Sequence, residues 1–166
     1  MREFAEWLYA TTPGVAIHST PWLIRLLQAT HLLTAGVVAG SGIMIALRAL
    51  GWQRRDVTFD AVWRRFAPWL GWGLVVMAAT GVAQTLGDPV REFTATSYWL
   101  KLALLLGCIV GTLSLGRTAR RAPTSAFSAA AKLTAAWLVA SWLAIVLLGR
   151  MIGYDLAIWG SLSLRT

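Results

Sequence analysis

The chain is poor in the residues that usually carry metal or nucleophile chemistry. Its single cysteine, Cys108, excludes an intramolecular disulfide and any cysteine-built metal cage. Its two histidines, His18 and His31, fall short of the three or four ligands of a zinc site. Charged residues are 13% of the 166, about half the share found in soluble globular domains. No segment matches a P-loop, a dinucleotide fingerprint, a nucleophile elbow or a zincin motif. Any chemistry therefore rests on few polar groups or on a bound cofactor, and catalysis by this chain alone is not expected. The net charge of +8 superficially suits nucleic acid. A nucleic-acid-binding domain spreads such charge over one continuous surface; here it falls in short runs between long apolar segments. Nucleic acid is excluded as a partner on that ground.

What is present is hydrophobic. Apolar residues make up 57% of the chain and the mean hydropathy is +0.63. Segments 22–50, 67–86, 98–116 and 133–154 are each long enough for the roughly 20 helical residues that cross a bilayer. The expected fold is all-α: a four-helix transmembrane bundle over residues 21–154, with the lipid bilayer as its first partner. Ser19 and Thr20 suit the cap of the first span and Pro21 its first helical position. Residues 1–20 form an N-terminal interfacial amphipathic segment, with Phe4, Trp7 and Leu8 on one helical face and Arg2, Glu3 and Glu6 elsewhere. Residues 11–14, Thr-Thr-Pro-Gly, are expected to break it. It lacks the basic start and apolar core of a signal peptide. Residues 155–166 read as an outer C-terminal tail. Gly36 and Gly40 in the first span, and Gly107 and Gly111 in the third, suit close helix contact.

Charge sets the expected orientation. The loops after the first and third spans hold nine basic residues (Arg48, Arg54, Arg55, Arg64, Arg65, Arg117, Arg120, Arg121, Lys132) against Asp56 and Asp60. The N-terminal segment, second loop and tail hold Arg2, Arg91 and Arg165 against five carboxylates. The positive-inside rule then puts both termini outside. Trp22, Trp99 and Trp159 fall at the expected outer boundary, and Trp52, Trp63, Trp69 and Trp137 at the inner one, as an aromatic belt.

Beyond Arg48 at the inner end of the first span, three basic residues lie inside spans: Arg25, Lys101 and Arg150. No span holds an Asp or Glu. At about 1.5 Å per residue, all three come to a similar depth in the outer leaflet, roughly one helical turn below its boundary. Charges at such positions mark function or pairing. One reading is that they snorkel to lipid headgroups, helped by Asp88 and Asp155. The other is that they hold a buried anionic ligand whose far end reaches His31, about 13 Å below Trp22. A haem answers that description, with propionates that favour Arg or Lys and an iron that takes an imidazole. Met77 falls at a similar depth and is a candidate sixth ligand. Gln28, three residues before His31, is placed to orient the imidazole. A helix-contact role for His31 stands beside the ligand role, and His18 reads as an interfacial residue.

Four stretches carry a resemblance: "HLLTAGVVAGSGIMIALRALG", "RRFAPWLGWGLVVMAATGV", "SYWLKLALLLG" and "GRMIGY". Together they resemble an uncharacterised family of bacterial four-helix integral membrane proteins, over residues 17–154. More distantly, the His31 helix, the "ATG" of the second span and Lys101 resemble copper-resistance protein D and the haem-binding four-helix protoporphyrinogen oxidases. The resemblance implies a multi-pass protein of the bacterial inner membrane, with a haem-ligating His31 and a site lysine at Lys101. The first family tends to carry a glutamate where this chain has Gln28. The leading expectation is a b-type haem protein serving as electron-transfer subunit or membrane anchor of a redox system. Its partners would be membrane or periplasmic redox subunits, or further copies of itself. A cofactor-free structural subunit of a larger membrane complex is the alternative, and copper handling by His31 with Met77 or Met151 the third.

Overall fold

A computed structural model describes residues 2–52, 57–121 and 127–164. Among these residues every regular element is helical. Arg54, Arg55, Asp56 and Arg165, and the side chain of Arg121, lie outside the described residues. Four helices are long and apolar enough to cross a bilayer. They are α3 (Pro21–Leu50), α4 (Phe59–Gly87), α6 (Thr96–Arg121) and α7 (Ala129–Met151). The basic ends of α4 and α6 are helical where the sequence reading has loop. Local chemistry accounts for this in α4: the Thr58 hydroxyl accepts from Ala61 N at 3.3 Å, and Asp60 pairs with Arg64 one turn on. Ser128 caps α7 in the same way, accepting from Ala131 N at 3.2 Å. Gly51, at φ +75°, closes α3 in the left-handed conformation that glycine adopts without strain.

The helices are unevenly packed. α3 lies along both α4 and α7, α6 lies along α7, and α4 and α6 scarcely touch. Buried residues of α3 begin only at Val38 and continue to Ala49. They meet Leu138, Trp142 and Ile145 of α7 and Cys108 and Leu115 of α6 in one core. The bundle is thus closed in the half that carries the basic connections and splayed in the other.

Two sequence expectations change here. Gly36 and Gly40 face open space, because the packed face of α3 runs through Val38, Gly42, Ile45 and Ala49; Gly42 takes the contact instead, beneath the Trp142 indole. Gly107 and Gly111 do pack, against Trp137 and Leu138. Trp137, 43% exposed, thus also makes a helix contact, and Trp63 packs on Gly116. Adding a methyl at Gly42 must displace a ring that is 1% exposed. Gly42→Ala is expected to destabilise the bundle by about 1–3 kcal/mol, while Gly40→Ala leaves it near neutral. Denaturant unfolding in mixed micelles separates the two.

Short helices cap the splayed end: α1 (Arg2–Tyr9), α2 (Thr12–His18), α5 (Pro89–Phe93) and α8 (Asp155–Trp159). The stretch expected to be a break, 11–14, instead starts α2. Thr11 accepts from Gly14 N at 3.4 Å, and Pro13 fits the first turn. A Cβ on Gly14 would stand 2.7 Å from the Leu8 carbonyl, so glycine is what lets α1, α2 and the end of α4 converge. The Thr20 hydroxyl bonds back to Ala16 O at 2.9 Å rather than capping α3. Phe4 of α1 rests on Phe93 of α5, centroids 6.0 Å apart, while Trp7 stays exposed, as an interfacial helix requires. The expected C-terminal tail is folded: Trp159 Nε1 donates to Ser97 Oγ at 2.8 Å, and Thr96 Oγ1 to Leu162 O at 2.8 Å. Both ends of the chain and the α4–α6 connection therefore share one end of the bundle.

Candidate functional site

The splayed half encloses a cleft of about 1240 Å³, above the roughly 300–1,000 Å³ of a drug-sized pocket. Arg25, Gln28 and His31 of α3, Met77 of α4, Lys101 of α6 and Arg150 of α7 all line it. These six residues, separated by as many as 125 positions and drawn from four spans, line one cleft because the four splayed half-helices face each other. Trp142, Ala39 and Ile145 line its closed end, and Phe4, Leu8 and Phe93 its capped end.

His31 is half-buried and anchored on α4. Its Nδ1 lies 2.9 Å from Thr80 Oγ1. The one proton of that hydroxyl is committed to the helix behind it, with Val76 O at 2.8 Å and Met77 O at 3.3 Å. With that proton on the helix, Thr80 accepts from an Nδ1–H, the tautomer that leaves the Nε2 lone pair free; the Met77 carbonyl also bonds the imidazole. Gly81 makes the approach possible, since a Cβ there would stand 3.4 Å from His31 Cε1. The orienting bond that the sequence assigns to Gln28 is thus made from across the interface by Thr80. Gln28 lines the cleft about one turn nearer the cap. Met77 lies one turn from Thr80 on α4, 8% exposed and packed in the core. His18 is remote from the cleft and stacks on Tyr9 at 4.0 Å.

The cations differ in surroundings. Arg25 and Arg150 are exposed to the cleft and its rim, and among the described residues no carboxylate lies within 4 Å of either. Lys101 packs its stem over Gly149, sets Nζ 5.6 Å from the Tyr98 ring, and lies within electrostatic reach of Glu92 and His31. Glu92 was not legible as a site residue. It belongs to the connection outside the spans, but α5 folds inward and leaves it 8% exposed on the cleft wall, 3.4 Å from Arg91. Asp-Pro at residues 88–89 is the sequence signal for that turn of helix, an N-cap followed by its first position. Neither boundary carboxylate assists the cations as expected. Asp88 pairs with Arg91 at 3.3 Å, and Asp155 is spent on the start of α6. Among the described residues no group of three His, Cys, Asp or Glu side chains converges.

No known protein family matches the chain, and no curated protein or solved structure matches it.

Proposed function

We propose that the cleft holds a haem b and that the protein is an electron-transfer subunit or membrane anchor of a redox system. The observation that carries this reading is the His31 imidazole. Bonded to Thr80 through Nδ1–H, it presents the Nε2 lone pair to a cavity also lined by Arg25, Lys101 and Arg150. The donor set fits the cofactor: a neutral imidazole nitrogen for iron, and guanidinium groups for carboxylates. Haem supplies one-electron chemistry at its iron.

The rest is the work of the chain's own residues. Thr80 holds the imidazole in the ligating tautomer, and Gly81 gives the ring room against α4. Arg25 and Arg150, without carboxylates within 4 Å among the described residues, would hold the propionates, and Lys101 would add to the positive potential between them. Met77 would be a candidate second protein ligand, and the apolar walls would keep water from the ring. The likeness of the His31 and Lys101 helices to haem-binding protoporphyrinogen oxidases supports the same ligand. The distribution of basic residues supports a capped end that faces outward, with both termini outside the cytoplasmic membrane of a bacterium. Redox partners would then dock at that face.

The visible spectrum of the purified protein, oxidised and then reduced with dithionite, tests the proposal. A Soret band with sharp reduced bands, at near one haem per chain, is expected. A colourless protein from membranes of cells supplied with haem precursors would overturn it.

A further inference from the structure

The cleft has two unlike sides. Toward α3 and α7 its rim carries Arg25, Leu32 and Arg150, two cations without carboxylate neighbours among the described residues. Toward α4 and α6 the two helices barely meet, and the rim is apolar and small: Ala78, Val82, which is 61% exposed, and Leu102. Above that rim sits a polar group of mixed character. Tyr98 Oη lies 3.5 Å from Thr85 Oγ1, bridging α6 to α4. Gln84 donates to Thr80 O at 3.2 Å, which leaves its side-chain oxygen as an acceptor. Glu92, paired with Arg91 at 3.4 Å, lies within electrostatic reach of Lys101, so a carboxylate stands among the cations here.

From this we infer that the α4–α6 side of the cleft is a binding site for a membrane quinone or its quinol. The opening lies within the span of apolar helix, so a ligand reaches it from the bilayer. A head with uncharged oxygens on opposite ring edges matches Lys101 and Tyr98 as donors and Glu92 and Gln84 as acceptors. A flat ring and an apolar tail match the Ala78–Val82 rim. An anionic lipid phosphate meets the Glu92 carboxylate there, and finds better company at Arg25 and Arg150. This site stands without the haem proposed above.

The test is calorimetric titration of decyl-benzoquinone into the full-length protein in phosphatidylcholine nanodiscs, with the spectrum recorded on the same samples. Saturable binding is expected. Lys101→Met should weaken it about tenfold, as loss of a hydrogen bond to a charged group does; Glu92→Gln should weaken by the same factor the binding of the reduced decyl-benzoquinol, whose hydroxyl alone can donate to the carboxylate. Val82→Trp, which fills the opening without touching the polar group, should weaken it at least as much. Leu33→Trp, a lipid-facing change at a residue 74% exposed and off the cleft, should not. No saturable binding, equal affinity in all variants, or displacement of the quinone by phosphatidylglycerol would each overturn the inference. Quinone binding to colourless protein would overturn only the haem reading; a full haem band without quinone binding would overturn only this one.

Discussion

His31→Ala is expected to bring bound haem to background while leaving the bundle folded. The side chain bonds α4 at Thr80 Oγ1, 2.9 Å away, and at the Met77 carbonyl, each bond worth roughly 0.5–1.5 kcal/mol, so helicity and detergent monodispersity should survive. What is lost is the one nitrogen lone pair on the cleft wall that a threonine has turned toward the cavity. The graded companion is Thr80→Val. It keeps the shape of the side chain and removes the acceptor that fixes the tautomer, so haem affinity should fall by about 10–100-fold. Thr80→Ser should restore it. A His31→Gly variant given imidazole should recover the Soret band, since the free base can occupy the vacated site. Met77→Leu then decides the sixth position: altered reduced bands mark a thioether ligand, and unchanged bands place Met77 in the wall alone. Full haem content in His31→Ala would remove His31 from the site.

The four spans were legible because a bilayer demands about 20 apolar residues per crossing, and that demand is written locally. Depth along each helix was legible for the same reason, which is how residues from four spans could be grouped before their contacts were known. Rotation about each helix axis was not. α3 is apolar on every side, and such a helix carries no stripe to say which face is packed; Gly36 and Gly40 look as suitable for contact as Gly42 does. Side-chain partners were no better marked. Thr80 is 49 positions from His31, and Asp155 is 58 from Ser97. Gln28 is the partner that spacing offers, because helical neighbours can be read from the sequence, whereas Thr80 on another helix depends on tertiary packing. Glu92 was missed because hydropathy places it outside the spans, while the α5 turn brings it back to the cleft.

Asp155→Ala is expected to cost about 3–5 kcal/mol, summing two or three buried partners left unsatisfied at roughly 1–3 kcal/mol each, and to loosen the capped end. The carboxylate is fully buried. It accepts from Thr96 N at 3.1 Å, Ser97 N at 2.9 Å and Ser163 Oγ at 2.6 Å. Two of these are free N–H groups at the start of α6, where a negative charge is also favoured by the helix dipole. One residue thus joins the last segment of the chain to the mouth of the third long helix, next to the Tyr98 and Lys101 turns of the cleft. Asp155→Asn should fall between wild type and alanine, because its amide keeps one acceptor oxygen and turns a second donor toward the other N–H. Protease sensitivity over residues 152–164 and the unfolding midpoint read the effect. Had Asp155 instead served as counter-ion to Arg150, as its place in the sequence suggests, Arg150→Ala and Asp155→Ala would be non-additive. The observed bonding predicts additivity: Arg150→Ala lowers haem retention, Asp155→Ala lowers stability, and the double variant shows both losses in full.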